Sequence, residues 1–164
     1  MQVLLTAAAM IAASSTVVQA QGTVTSSSGP NMQFGVQLSW ADDAELGVGG
    51  RIRHSWRSLF PRAPVTGQFS VDIFFPGNDI DYLELNYNVV YNFTPASAPR
   101  LNPYLGGGLN FARVSVGNGN ESDIGLNIVG GANFRTSSRV TPFVEIRLEA
   151  GGGEQLVLTG GILF

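Results

Sequence analysis

The residues of this chain that could do chemistry are few, and its one charged constellation is Arg51, Arg53, Glu84, Glu145, Arg147 and Glu149. Each lies on the polar side of a segment that alternates polar and apolar residues. Brought together in a narrow space, such a set makes an ion-pair and hydrogen-bond plug that offsets the cost of burying charge. The same residues leave open a gated polar pore, or paired carboxylates doing acid–base work, although no sugar- or water-positioning motif accompanies them. His54 is the sole histidine. A Ser/His/acid nucleophile would need a serine and a carboxylate beside it. Ser55 points to the opposite face of any strand that carries His54, and no acid lies nearby in sequence. An interfacial histidine is the better reading, and no enzymatic activity is expected.

Other candidate motifs fall short of their chemistry. Asn78-Asp79-Ile80-Asp81 and Asn118-Gly119-Asn120-Glu121-Ser122-Asp123 have oxygen-rich side chains, but neither completes a calcium-loop register ending in a bidentate Glu. Ordinary turn chemistry is expected there, with no metal and no cofactor. Gly106 to Gly108 is followed by no helix and no Lys-Ser/Thr pair, so it is not a phosphate loop. It gives room for strand curvature or packing. There are no cysteines, so disulfide and thiol chemistry are excluded. A net charge of −3 without a basic stripe argues against nucleic acid.

The elements that must position these residues are strands. Eight segments of about ten residues alternate with the strand period, separated by Gly, Pro, Asn, Asp and Ser. In the clearest, Leu83, Leu85, Tyr87, Val89, Tyr91 and Phe93 oppose Glu84, Asn86, Asn88 and Asn92. The first sets Met32, Phe34, Val36, Leu38 and Trp40 against Gln33, Gly35, Gln37 and Ser39. The third sets Phe69, Val71, Ile73 and Phe75 against Gln68, Ser70 and Asp72. The seventh sets Val144, Ile146 and Leu148 against Glu145, Arg147 and Glu149. The last runs through Leu156, Leu158, Gly160 and Ile162 to Phe164. None has a sustained helical period.

Alternation alone does not say which face is outside. A soluble lipocalin-like barrel would put the apolar face inward, whereas a membrane barrel puts it outward. Three properties favour the second. The polar faces are mostly Asn, Gln, Gly and Ser with paired Glu and Arg, as suits a narrow interior. Trp40, Trp56, Phe75, Phe93 and Phe134 stand near strand ends, where aromatic girdles meet membrane interfaces. Strands of about ten residues suit a tilted crossing of the hydrocarbon layer. Composition agrees: 13% of residues are charged and none is Lys, against about 25% charged in soluble domains.

Residues 1–20 end in Val18-Gln19-Ala20, a small-x-small pattern after an apolar run, and are expected to be a cleaved signal peptide. No Lys or Arg precedes that run. Residues 21–30 are expected to be a periplasmic segment and 31–164 a single barrel domain. The run is too short for a spanning anchor.

The stretches Asp81-Tyr-Leu-Glu-Leu-Asn-Tyr-Asn-Val-Val-Tyr-Asn-Phe93, Asn102-Pro-Tyr-Leu-Gly-Gly-Gly-Leu-Asn-Phe111, Thr141-Pro-Phe-Val-Glu-Ile-Arg-Leu148 and Leu158-Thr-Gly-Gly-Ile-Leu-Phe164 carry a resemblance. The chain resembles the small bacterial outer-membrane β-barrel family related to OmpX and the OmpA membrane domain. The resemblance implies an all-β, eight-stranded antiparallel up-and-down transmembrane barrel with both termini periplasmic. It also implies that the assembly machinery reads the last strand, with Ile162 and Phe164 as its signal. On that topology Asp42, Asp43, Asp79, Asp81, Glu121, Asp123 and Glu154 are external, in loops near 41–43, 76–81, 117–123 and 151–154. Arg57, Arg62, Arg100, Arg135 and Arg139 are periplasmic, on longer connections. The expected partners are outer-membrane lipid and lipopolysaccharide, the latter through divalent cations on the acidic rim. No small-molecule substrate is expected. The expected role is structural or at the surface. The alternatives are a narrow ion or small-solute channel and, from a different class, a secreted lipocalin-like binder of an apolar ligand.

Overall fold

The computed structural model describes residues 32–77, 80–116, 119–151 and 155–164. The expected signal peptide and the segment after it lie outside the described residues. Eight strands run in chain order: β1 Met32–Ala41, β2 Glu45–Ser55, β3 Val65–Phe74, β4 Ile80–Asn92, β5 Leu101–Val116, β6 Gly119–Phe134, β7 Thr141–Ala150 and β8 Leu156–Leu163. Each pairs antiparallel with the next, and β8 returns to β1, so the sheet is a closed up-and-down barrel. Closure leaves no free edge along the wall. Its register runs from Gly35↔Leu163 to Ala41↔Val157. Beyond it, Phe34 and Phe164 exchange backbone hydrogen bonds of 3.1 and 2.8 Å.

The wall is inverted relative to a water-soluble barrel. On β6, Leu126 and Ile128 are 61% and 63% exposed while Asn127 between them is 3% exposed. The same alternation holds on β7, where Glu145, Arg147 and Glu149 are buried and Val144, Ile146 and Leu148 face out. β-Branched and aromatic side chains favour the pleated, outward surface, and the small amides fill an interior just wide enough for side chains. Glycine serves that interior at two inward positions of β5. A Cβ on Gly106 would strike the backbone of Val89 and Val90, and one on Gly108 the backbone at Tyr87 and Asn88. These inward glycines therefore let β4 and β5 approach closely.

Two features differ from the expected pattern. β5 and β6 are 16 residues each rather than about ten. Glu121 and Asp123 belong to β6, opposite Val114 and Ala112, so the expected loop over 117–123 is mostly paired strand. The alternation of β-branched Val114 and Val116 with polar residues lets this ladder continue past the apolar band. β7 pairs with β6 only from Leu126 onward. Asp81, also expected in a loop, is on β4 opposite Ser115. The second difference is inside. Buried apolar side chains lie at both ends of the polar interior. Ala41, Ala44, Phe74, Tyr82, Ala112 and Val157 cluster toward the hairpin end. Val90, Tyr104 and Val129 cluster toward the terminal end, where β1 starts and β8 finishes, and where Phe143 and Leu163 are also buried.

Candidate functional site

The interior brings the six predicted charges into one polar core, with a definite pairing. Arg51 on β2 reaches across the barrel to Glu145 on β7 in a two-pronged contact of 2.8 and 2.6 Å. Fork-to-fork geometry of this kind is the strongest form of the Arg–carboxylate pair. The Tyr104 hydroxyl donates to the same carboxylate at 2.8 Å, and the Arg51 guanidinium lies 4.4 Å from the Phe143 ring centre. Arg147 on β7 is shared. Its Nε donates to Glu149 at 2.5 Å and its Nη2 to Glu84 on β4 at 2.6 Å. Asn86 donates to Glu84 at 2.6 Å and Asn110 to Glu149 at 3.0 Å. Gln155 Nε2 stands within 3.3 Å of the oxygens of Tyr82, Glu84 and Glu149. Both salt-bridged groups are almost fully shielded from solvent.

Arg53 departs from the expected ion pairing. Its two terminal nitrogens donate to the amide oxygens of Asn133 and Asn92, each at 2.9 Å, and among the described residues no carboxylate is in its hydrogen-bond set. Its position near the end of β2 places it level with Asn92 and Asn133 at the ends of β4 and β6. Sequence reading also missed a member. Asp72 on β3 is fully buried and sits in register with Glu84 on β4. Among the described residues it has no direct ion pair, and it accepts from Gln37 at 2.6 Å, Ser39 at 3.2 Å and Ser70 at 3.3 Å. Its inward register on β3 was the signal that could have placed it in the constellation. Among the described residues the interior formally holds four carboxylates and three guanidiniums. Several buried polar atoms, including both amide atoms of Gln68 and Nη1 of Arg147, have no protein partner.

His54 faces out, as its register predicts, near Trp56. The Trp56 indole N–H donates to His54 Nε2 at 2.8 Å, and the Tyr87 hydroxyl lies 3.2 Å from the same nitrogen. An indole nitrogen can only donate, so the imidazole must present a bare nitrogen there. Ser55 Oγ accepts instead from the backbone N–H of Arg57 at 3.3 Å. Among the described residues, then, the ring partners of His54 are aromatic rather than a serine and an acid. Tyr87 reaches it across β3 because Gly67 lies beneath, where a Cβ would collide with both rings. An outward glycine between two aromatic strands is the sequence signal for that contact.

The predicted girdle residues stand at two levels. Trp40 and Phe75 are exposed toward the hairpin end. Trp56, Phe93 and Phe134 lie toward the terminal end, with Phe93 tilted against Tyr91 at 5.1 Å and Trp56 stacked on Phe60 at 5.9 Å. Ile162 and Phe164 face outward with them. Among the described residues no group of three or more His, Cys, Asp or Glu side chains could hold a metal ion.

No family model matches the chain, and no curated protein matches it. Solved structures do. A de novo designed transmembrane β-barrel shares 18% identity over 83% of this chain and 96% of its own, with a TM-score of 0.55. A major outer-membrane protein of Thermus thermophilus shares 12% over 81% and 98%, with a TM-score of 0.53. Ail, the attachment invasion locus protein of Yersinia pestis, shares 18% over 80% and 93%, with a TM-score of 0.52. At such identities the likeness is one of fold, and the chain has the eight-stranded closed barrel fold of small outer-membrane proteins.

Proposed function

We propose that this chain is an integral barrel of a bacterial outer membrane, plugged by its own side chains, with a structural or surface role rather than a catalytic one. The observation that carries the reading is the inversion of the wall: apolar residues cover the outside, while charged and amide side chains are buried within and most of them are hydrogen-bonded. A surrounding hydrocarbon phase makes that arrangement favourable, and it tolerates the strands because every backbone group of a closed barrel is satisfied internally. The solved structures with the same fold include proteins named for the outer membrane. The even strand number puts both termini at one end, which this reading assigns to the periplasm. The last strand, displaying Ile162 and Phe164, is the segment offered to the assembly machinery.

The acidic residues lie at the other end, where divalent cations shared with lipopolysaccharide phosphates would offset their charge. Asp42 contributes less to such a rim than its position implies, because its carboxylate accepts the backbone N–H of Leu156 at 2.8 Å. Asp43, Asp81, Glu121 and Asp123 remain exposed. Asp79 and Glu154 lie outside the described residues. Neutralising the four exposed acids should reduce the protein's sensitivity to EDTA; unchanged sensitivity would remove the cation role.

A narrow channel is the second reading, favoured by the unpartnered polar atoms of Gln68 and Arg147, which water in the lumen would satisfy. One measurement tests the barrel that both readings share, and a second separates them. The folded protein should migrate differently on SDS gels before and after boiling, as a closed barrel does. Planar-bilayer recordings should then show no steady conductance if the plug is complete, and discrete openings if it is not.

A further inference from the structure

The two ends of the barrel carry opposite charge. The three connections at the terminal end, residues 56–64, 93–100 and 135–140, contain Arg57, Arg62, Arg100, Arg135 and Arg139 and no Asp or Glu. All five arginines are exposed. The sequence before β1 contains no acid either. Two of the connections adjoin: the backbone N–H of Arg135 donates to the carbonyl of Arg100 at 2.8 Å. The backbones that carry Arg100 and Arg135 are thus neighbours, and these connections hold no carboxylate to set against their charge.

The β2–β3 connection adds an apolar element. Leu59 and Phe60 are 69% and 47% exposed, yet they are not on a loose loop. Their backbone N–H groups both donate to the Trp56 carbonyl, at 3.0 and 2.8 Å, and the Ala63 N–H donates to the Phe60 carbonyl at 3.2 Å. Phe60 is stacked on Trp56. A fixed turn that presents two large apolar side chains between arginines, continuous with the outward aromatic level, has the composition of an interfacial membrane anchor.

We infer that the terminal end of the barrel is a binding surface for anionic phospholipid, with Leu59 and Phe60 set into the leaflet and Arg62, Arg100 and Arg139 on the headgroup phosphates. The inference rests on the membrane-barrel reading and names the lipid class that reading leaves open. A soluble polyanion would use the arginines but not the apolar pair, so the pair commits the surface to lipid.

The test is native mass spectrometry of the folded protein released from micelles containing equal phosphatidylglycerol and phosphatidylcholine. Phosphatidylglycerol should be retained preferentially, and each of Arg62→Gln, Arg100→Gln and Arg139→Gln should weaken its retention roughly fivefold. The triple variant should lose the preference. Leu59→Ser with Phe60→Ser should lower retention of both lipids, while Asp43→Asn at the opposite end should change neither. Equal retention of the two lipids by a wild-type protein that still shifts on heating would overturn the lipid surface and leave the barrel standing. A triple variant that keeps its preference would overturn it as well. A wild-type protein with no heat shift that stays soluble without detergent would instead remove the barrel reading, and this inference with it.

Discussion

On β6 the buried Asn127 donates to Asn86 and Asn88, 2.7 and 3.1 Å away on β4, while its neighbours Leu126 and Ile128 point out of the barrel. The two faces of one strand are therefore held to different standards. Inside, most polar atoms are held by a partner at a set distance, because an unsatisfied group in a low-dielectric interior is costly. Outside, on the proposed membrane reading, side chains meet a medium as apolar as themselves and need only be apolar. The interior is a matter of identity and the exterior a matter of class.

The largest expected effect breaks the interior at its most shared residue. Arg147→Ala leaves Glu84 and Glu149 buried without their cation and should cost about 3–5 kcal/mol, read as a lower urea midpoint for unfolding from lipid vesicles. Breaking the exterior rule comes next: Ile128→Arg puts a charge on the lipid side of β6 and should cost about 2–4 kcal/mol in the same titration. Arg53→Met sharpens the comparison within the interior. Its partners are neutral amides, so no charge is stranded and the loss should be about 1.5–3 kcal/mol. Should Arg53→Met prove as damaging as Arg147→Ala, stranded carboxylates would not be what distinguishes the shared site. The smallest effect is Leu126→Ile on the exterior, expected within about 0.5 kcal/mol of wild type.

The same distinction explains what could be read from the sequence. The exterior was legible almost residue by residue, since an apolar class repeating every second position is a one-dimensional signal. All eight strands and the facing of Trp40, Phe75, Phe93, Phe134 and Ile162 follow from it. The inward facing of the six charges was legible for the same reason. Their pairing was not, because Arg51 and Glu145 are 94 positions apart and meet only across the lumen. Asp72 was visible as an inward residue, but its partners Gln37, Ser39 and Ser70 are neutral, so no charge pattern tied it to the set. Phe74 and Tyr82 broke the polar-inside rule because they belong to an apolar layer at the hairpin end, where the barrel is no longer lined by the network. The length of β5 and β6 was hidden by Gly119, Asn120, Ser122 and Asp123. These are turn formers by type that pair as strand because β5 offers a partner.

The central claim is that apolar side chains face lipid and polar ones face a filled interior. The chain has no cysteine, so spin labels can be placed singly by Leu126→Cys, Asn127→Cys and Ile128→Cys in protein reconstituted into phospholipid vesicles. Electron paramagnetic resonance should show labels at 126 and 128 relaxed by oxygen dissolved in the bilayer, and the label at 127 immobilised and shielded from it. Oxygen reaching 127 while 126 and 128 are shielded would contradict the account and turn every strand of the wall around.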